Sequence, residues 1–280
     1  MNEAGQLPRP SSAVDSLNLF QTLRVSISVI IITKNEEAVI GRCLESVKWA
    51  DEIVVLDSGS TDRTVEICRG YTGKVHVSED WPGFGPQKNR VLDLAMGDWV
   101  FCLDADEWVS DKLRDEIQRA VASPGGSVAF RIPRLSSFCG RYIRHSGWWP
   151  DRVTRLFKRG HARFTELLVH ENMAVTGVKG TLREPLMHES FVDLEDVLAK
   201  MDRYSTASAK MLHAQGKRAG LRSAVLRGLW AFIRTYFLRA GFLDGRHGFM
   251  LAVSSAEGTY YRYAKLRMLW AKEAGRSSEG

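Results

Sequence analysis

The chain has 280 residues, 44% hydrophobic and 26% charged. That balance is typical of a soluble globular protein and excludes disordered and collagen-like classes. The formal net charge of +6 hides an asymmetry: residues 200–280 carry 15 Lys and Arg against 5 Asp and Glu, whereas residues 1–199 carry 24 against 28. An acidic part is therefore followed by a basic one.

Four cysteines, Cys43, Cys68, Cys102 and Cys139, are widely spaced in apolar stretches and form no C-x-x-C pair, which points to buried thiols in a reducing compartment. Residues 1–24 open with Met1, Asn2 and Glu3 and stay polar through Pro8 and Pro10, lacking the basic and apolar regions of a secretory signal, so a flexible tail is expected. No run reaches the apolar length of a membrane span; even Leu221 to Leu243 is interrupted by Arg222, Arg227, Arg234 and Arg239.

From Val25 to Ile32 a β-branched apolar run predicts a strand buried on both faces. After the polar break Thr33-Lys34-Asn35-Glu36, apolar residues at Val39, Ile40, Cys43, Leu44 and Val47 have the spacing of one helical face. The alternation repeats: a strand at Ile53 to Leu56, a tight loop from Asp57 to Asp62, a helix with Val65, Ile67 and Cys68, and a short strand at Val75 to Val77. A helix carrying Val91, Leu92 and Ala95 leads to a fourth strand, Trp99 to Leu103, which ends at Asp104-Ala105-Asp106-Glu107. Ser110 is placed to cap a helix whose Leu113, Ile117 and Val121 share a face, before Ser123-Pro124-Gly125-Gly126 breaks the chain. Such alternation implies an α/β fold with a mainly parallel, three-layer sheet, whose ligands bind beyond the carboxyl ends of the strands. Beyond Val128 the pattern loosens into shorter pieces, Ala129 to Ile132 and Thr154 to Phe157, and from Leu194 onward it reads as a basic helical appendage.

Asp104 and Asp106 end a buried strand with Ala105 facing the opposite way, and two close carboxylates suit a hard cation such as Mg2+ or Mn2+ that completes its shell with phosphates and water. A turn cap is the plainer alternative. Asp57 can accept from a nucleobase or ribose, or it can close an ordinary Asx turn with Ser58, Gly59 and Ser60. Lys88 can neutralise phosphate or hold a loop to the acidic site, or it can lie solvated on its helix.

Taken together, Ile30 to Glu36, Asp57 to Asp62, and Phe101 to Asp106 resemble, in order and spacing, the signature segments of family 2 glycosyltransferases with the GT-A fold. The resemblance implies that Thr33, Lys34, Glu36 and Asp57 surround a uridine-type nucleoside, that Asp104 lies near ribose and metal, and that Asp106 binds the metal directly. Lys34 stands where such loops often carry a tyrosine.

The second part is similar to a narrower group, the lipopolysaccharide core β-1,4-glucosyltransferases. The matching segments are Gly147 to Asp151, Thr154 to Phe157, Val169 to Glu171, Leu186 to His188 and Tyr236 to Gly245. This implies an inverting transfer of glucose from UDP-glucose to a heptose of the lipopolysaccharide inner core. Glu171 is then the base that takes the acceptor proton, or a surface glutamate beside a structural His170, with Asp151 in reserve, and His188 completes the metal shell or serves as a structural histidine. Trp148 and Trp149 can stack on a sugar or pack in the loop, and Arg152 and Arg155, with Arg141 and Arg144, suit an anionic, lipid-linked acceptor.

The expected organisation is a catalytic domain over residues 25–193, its nucleotide-sugar half at 25–125 and its acceptor half at 126–193, followed by the appendage at 194–280. The appendage's apolar and basic face either lies in the headgroup layer or packs on the catalytic domain. The expected setting is cytoplasmic and peripheral on the inner membrane, with no nucleic-acid partner, since no recognised motif accompanies the charge. Two alternatives stand beside this reading: a polyprenyl-phosphate glycosyltransferase and a non-catalytic binder of membrane surfaces.

Overall fold

The structure, a computed structural model, describes residues 25–165 and 173–277. The expected tail over 1–24 and the expected base Glu171 lie outside the described residues.

The first part alternates β1 (Ile27–Thr33), α1 (Ile40–Val47), β2 (Glu52–Asp57), α2 (Thr64–Arg69), β3 (Val75–Val77), α3 (Phe84–Asp93) and β4 (Trp99–Asp104). Every residue of β1 is buried, as its β-branched sequence requires of a central strand. Because side chains alternate across a strand, Val29 and Ile31 meet Cys43 and Leu44 of α1 on one face, while Ile30 and Ile32 meet Val91 and Leu92 of α3 on the other. Two cores thus sandwich the sheet, which gives three layers.

Chain order continues with β5 (Glu107–Trp108), α4 (Asp111–Ala122), β6 (Ala129–Phe138), β7 (Arg141–Tyr142), β8 (Asp151–Lys158), β9 (Ala162–Phe164), β10 (Met173–Val175), β11 (Lys179–Thr181) and β12 (Leu186–Phe191). The main sheet runs β3-β2-β1-β4-β8-β6-β12-β5, with β11 and β7 also on β6. Its first four strands are parallel, but β8 enters antiparallel between β4 and β6, so the second half is mixed. Ser110 caps α4, its hydroxyl accepting from the Leu113 N–H at 3.3 Å, and Leu113, Ile117 and Val121 are buried together as their spacing predicts.

The appendage comprises α5 (Leu194–Ala214), α6 (Leu221–Ile233), a π-helical turn (Arg234–Leu238), a 3-10 turn (Gly241–Asp244) and the long α7 (Gly245–Ser277). Both α5 and α6 pack along α7. Against α7, α6 buries only small residues, Ala224, Gly228 and Ala231. A Cβ on Gly228 would lie 3.1 Å from the Ala256 carbonyl oxygen, so the helices approach closely there. Among the described residues, the bulky Leu221, Val225, Leu226, Leu229 and Trp230 of α6 are exposed. No described helix is long and apolar enough to cross a membrane. All four cysteines are free thiols; three are buried, whereas Cys139 is half-buried.

Candidate active site

The loops after β1 and β2 are stitched to one another. Asn35 sits at a positive φ of 54°, its N–H donating to Ser60 Oγ at 2.8 Å and its side-chain oxygen accepting from the Thr61 N–H at 2.8 Å. The Glu36 N–H donates to Thr64 Oγ1 at 2.8 Å, and the Arg63 N–H donates to the Glu37 carboxylate at 3.0 Å. Asp57, fully buried, accepts from the N–H groups of Gly59 at 3.0 Å and Ser60 at 2.8 Å and from the Ser60 hydroxyl. It therefore closes the Asx turn that the sequence left as one alternative, and Gly59, at φ 81°, supplies the left-handed residue that turn needs. Thr33 is buried, and its hydroxyl is among the few buried side-chain atoms with no hydrogen-bond partner among the described residues. Lys34 is exposed at the rim.

Below these loops lies a charged floor. Lys88 is buried, and its ammonium lies 2.8 Å from Asp104 Oδ1; the solvated-surface alternative is thereby set aside. The other Asp104 oxygen pairs with the Arg155 guanidinium, which also reaches Glu107 Oε1 at 2.7 Å. Glu107 in turn accepts from the Asp104 N–H at 3.0 Å and faces Arg134 at 3.5 Å. Burial alone would raise the Asp104 carboxyl, yet Arg155 and Lys88 outweigh it and hold it well below the usual carboxylate range. Both oxygens of Asp104 thus face a cationic side chain, and Arg155, one of the arginines expected on the acceptor side, lies buried beneath Asp104.

Asp106 falls in the turn between β4 and β5, with Ala105 buried in the core beneath it. The antiparallel pairing of β12 with β5 aligns His188 with Glu107 and brings His188 Nε2 to 3.3 Å from Asp106 Oδ2. Ser136 Oγ lies 2.8 Å from His188 Nδ1 and fixes the ring so that Nε2 faces the acid. Among the described residues no three His, Cys, Asp or Glu side chains gather as a ligand cluster. One carboxylate oxygen and one imidazole nitrogen at this separation nonetheless fit part of a shell that phosphate oxygens and water complete. The nitrogen donor suits Mn2+ better than the harder Mg2+. Burial, followed by the nearby Asp106 charge, pushes Glu36 up to about 7, against an opposing pull from Lys200.

On the acceptor side, Asp151 accepts two hydrogen bonds from Arg134, at 3.0 and 2.7 Å, which engages the reserve base. Trp148 is packed, stacked on Phe191 at 5.9 Å between centroids and set edge-on to Phe138 at 6.0 Å. Trp149 is half-buried with Arg144 over its ring at 5.7 Å, and Arg141, Arg144 and Arg152 are exposed. The loop is held from the appendage: buried Asp244 accepts from the N–H groups of Arg144 at 3.2 Å and His145 at 2.9 Å, and the Ser146 N–H donates to the Arg239 carbonyl at 2.8 Å. Gly147, at φ 81°, leaves room for the Arg239 side chain where any Cβ would collide.

Sequence reasoning missed Glu107, Arg134, Lys200 and Asp244. Glu107 carried a local signal, standing directly after the Asp-x-Asp segment, and Asp244 lay inside the matching segment Tyr236 to Gly245 without being singled out.

The model of glycosyl transferase family 2 matches residues 28–188. The chain is 33% identical over 268 residues to an uncharacterized glycosyltransferase of Rickettsia bellii (strain RML369-C), covering 89% of this chain and 88% of that one. It is 30% identical over 262 residues to the lipopolysaccharide core biosynthesis glycosyltransferase LpsC of Rhizobium meliloti (strain 1021), covering 90% and 95%. Among solved structures, S. aureus TarS aligns with a TM-score of 0.47 at 18% identity, covering 86% of this chain and 55% of that one. A match that begins in β1 and ends in β12, with relatives aligned along most of both chains, identifies a GT-A enzyme: the protein belongs to glycosyl transferase family 2.

Proposed function

We propose that the protein transfers glucose from UDP-glucose, with inversion, to a heptose of a lipid-linked lipopolysaccharide inner core at the cytoplasmic face of an inner membrane. The observation that carries this reading is the approach of Asp106 and His188 to 3.3 Å beside the stitched loops, beyond the carboxyl ends of the parallel strands. LpsC, named for lipopolysaccharide core biosynthesis and alignable over nearly its whole length, supports the acceptor class.

In this reading Thr33, Lys34, Glu36 and Asp57 surround the nucleoside, the Thr33 hydroxyl gaining in the complex the partner it otherwise lacks. Asp106 and His188 Nε2 hold Mn2+ or Mg2+. When bound, the cation neutralises charge that develops on the departing diphosphate. Lys88 and Arg155 fix Asp104 near the ribose and keep the floor close to electrically neutral. Glu171 removes the proton from the acceptor hydroxyl as its oxygen bonds to the anomeric carbon; the bond to the diphosphate breaks and its electron pair leaves with that group. Arg141, Arg144 and Arg152 face an anionic acceptor.

Replacing Asp106 by Ala is expected to abolish glucose transfer while leaving the unfolding transition in place, and transfer at the native rate would overturn the metal assignment. Glu171→Gln is expected to slow transfer by about 10²- to 10⁴-fold. A screen of nucleotide sugars for UDP release, run with heptose-bearing lipid and with polyprenyl phosphate, tests donor and acceptor together.

A further inference from the structure

We propose that the outer face of α6 and of the two turns that follow it is a docking surface for an anionic lipid bilayer, and that the acceptor loop is fastened to this surface. The proposal deepens the reading above by naming the surface that meets the membrane. Its bilayer contact stands or falls independently of the donor chemistry.

The packing of α6 is inverted relative to an ordinary surface helix. Its small residues face α7, while Leu226, Leu229 and Trp230 are each more than half exposed. The same holds for Phe237 and Leu238 in the π-helical turn and Leu243 in the 3-10 turn. On α6, positions 226, 229 and 230 recur at three and four residues and so form one stripe, which exposed Phe237 and Leu238 of the π-helical turn follow along the chain. Water is a poor neighbour for so much contiguous apolar surface.

Charge identifies the occupant. Between residues 203 and 256 the only acidic residue is Asp244, which is buried, while Arg222, Arg227, Arg234, Arg239 and Arg246 alternate in sequence with the apolar residues and are exposed, Arg227 resting over Tyr263 of α7. A segment of exposed apolar side chains and arginines that itself exposes no carboxylate, with Glu257 on neighbouring α7 as the nearest exposed one beyond it in sequence, matches anionic headgroups above an acyl interior. A protein partner of ordinary mixed charge would not call for this exclusion of acids.

The surface is joined to the acceptor side without slack. Asp244, at the end of the 3-10 turn, holds the Arg144 and His145 N–H groups, and the Arg239 carbonyl holds Ser146. Seating the stripe in the headgroup layer therefore sets the height of the loop bearing Arg144 and Trp149 above the membrane, where a lipid-linked acceptor presents its sugars.

The test is cosedimentation of the full chain with vesicles of phosphatidylcholine, alone or mixed with phosphatidylglycerol. Binding to the mixed vesicles, roughly fivefold weaker for each of Arg222→Gln and Arg227→Gln and lost in the double variant Leu229→Ser, Trp230→Ser, is expected. These residues are exposed, and calorimetric binding of UDP with Mn2+ should be unchanged in every variant, which reports that the fold is intact. Serine variants that sediment like the native chain, or a native chain indifferent to phosphatidylglycerol, would overturn the proposal. So would a serine-sensitive dimer in ultracentrifugation that takes up no vesicles. If the native chain binds mixed vesicles but not UDP, the catalytic reading fails and this one stands.

Discussion

The guanidinium of Arg155 lies 2.7 Å from fully buried Glu107 and also pairs with Asp104, so one cation serves two carboxylates beneath the cleft. Removing one partner of a buried ion pair leaves an uncompensated charge and typically costs about 3–5 kcal/mol. Arg155→Met is expected to destabilise the chain by about that amount in urea unfolding. A loss within error of zero would mean that Lys88 and Arg134 suffice as counter-ions.

His188 is aimed by its second nitrogen. With Ser136 Oγ at 2.8 Å from Nδ1, Ser136→Ala frees the ring to turn, and outer partners of this kind are worth about 10- to 100-fold in metal affinity. Electron paramagnetic resonance of free Mn2+ during titration should show that weakening, and an unchanged affinity would separate His188 from the cation.

Thr33 allows stability and binding to be told apart. Its hydroxyl is buried without a partner among the described residues, so Thr33→Val should leave the unfolding free energy unchanged or slightly raised. Loss of one hydrogen bond to the nucleoside, worth about 1 kcal/mol, should weaken UDP roughly fivefold. Calorimetry that finds UDP affinity undisturbed would remove Thr33 from the nucleotide site.

Glu36 carries a pH signature of definite sign. Its carboxyl is pushed from an ordinary 4.5 up to about 7, so across that window the native chain binds more protons than the unfolded one. The contribution of Glu36 to stability should therefore fall as pH rises from about 4.5 to about 7 and then level off. Glu36→Gln should flatten this slope in unfolding measurements at the two ends of the window. Because Asp106 contributes to the shift, a cation on Asp106 should lower the Glu36 value and release a proton, which carbon NMR of labelled glutamate would detect.

Asp244 is expected to matter at a distance. Asp244→Ala removes the acceptor of the Arg144 and His145 N–H groups and should raise KM for the lipid-linked acceptor while KM for the donor stays put. Equal changes in both would point to general destabilisation.

The first four strands and their helices were legible because each is a local pattern. The β-branched run from Val25, the i, i+3, i+4 face from Ile40 to Val47 and the Ser110 cap each contain their own instruction, and they emerge within a residue or two of expectation. The mixed second half was not legible in this way. Strand β6 extends to Phe138, well past the expected Ile132, and what defines it is register with β8 and β12 rather than a motif of its own. The same limit explains the site. Asp106 and Asp57 were visible as loop residues after strands, but the pairing of Arg155 with Asp104 and of Arg134 with Asp151 depends on which strands become neighbours. The outward turn of Leu226, Leu229 and Trp230 was equally hidden, because periodicity shows which residues share a face without saying which face turns inward.

The late arrival of β12 beside β5 divides labour along the chain. The two stitched loops are complete by residue 64 and Asp106 follows in the turn after β4, yet His188 joins them only once some eighty further residues have intervened. The loops joining the intervening strands can lengthen or shorten so long as β12 keeps its register and Arg134, Ser136 and Arg155 keep their places beneath the site. Under the proposed assignment, the side that meets the acceptor can thus drift among descendants of this scaffold while the donor side keeps its geometry.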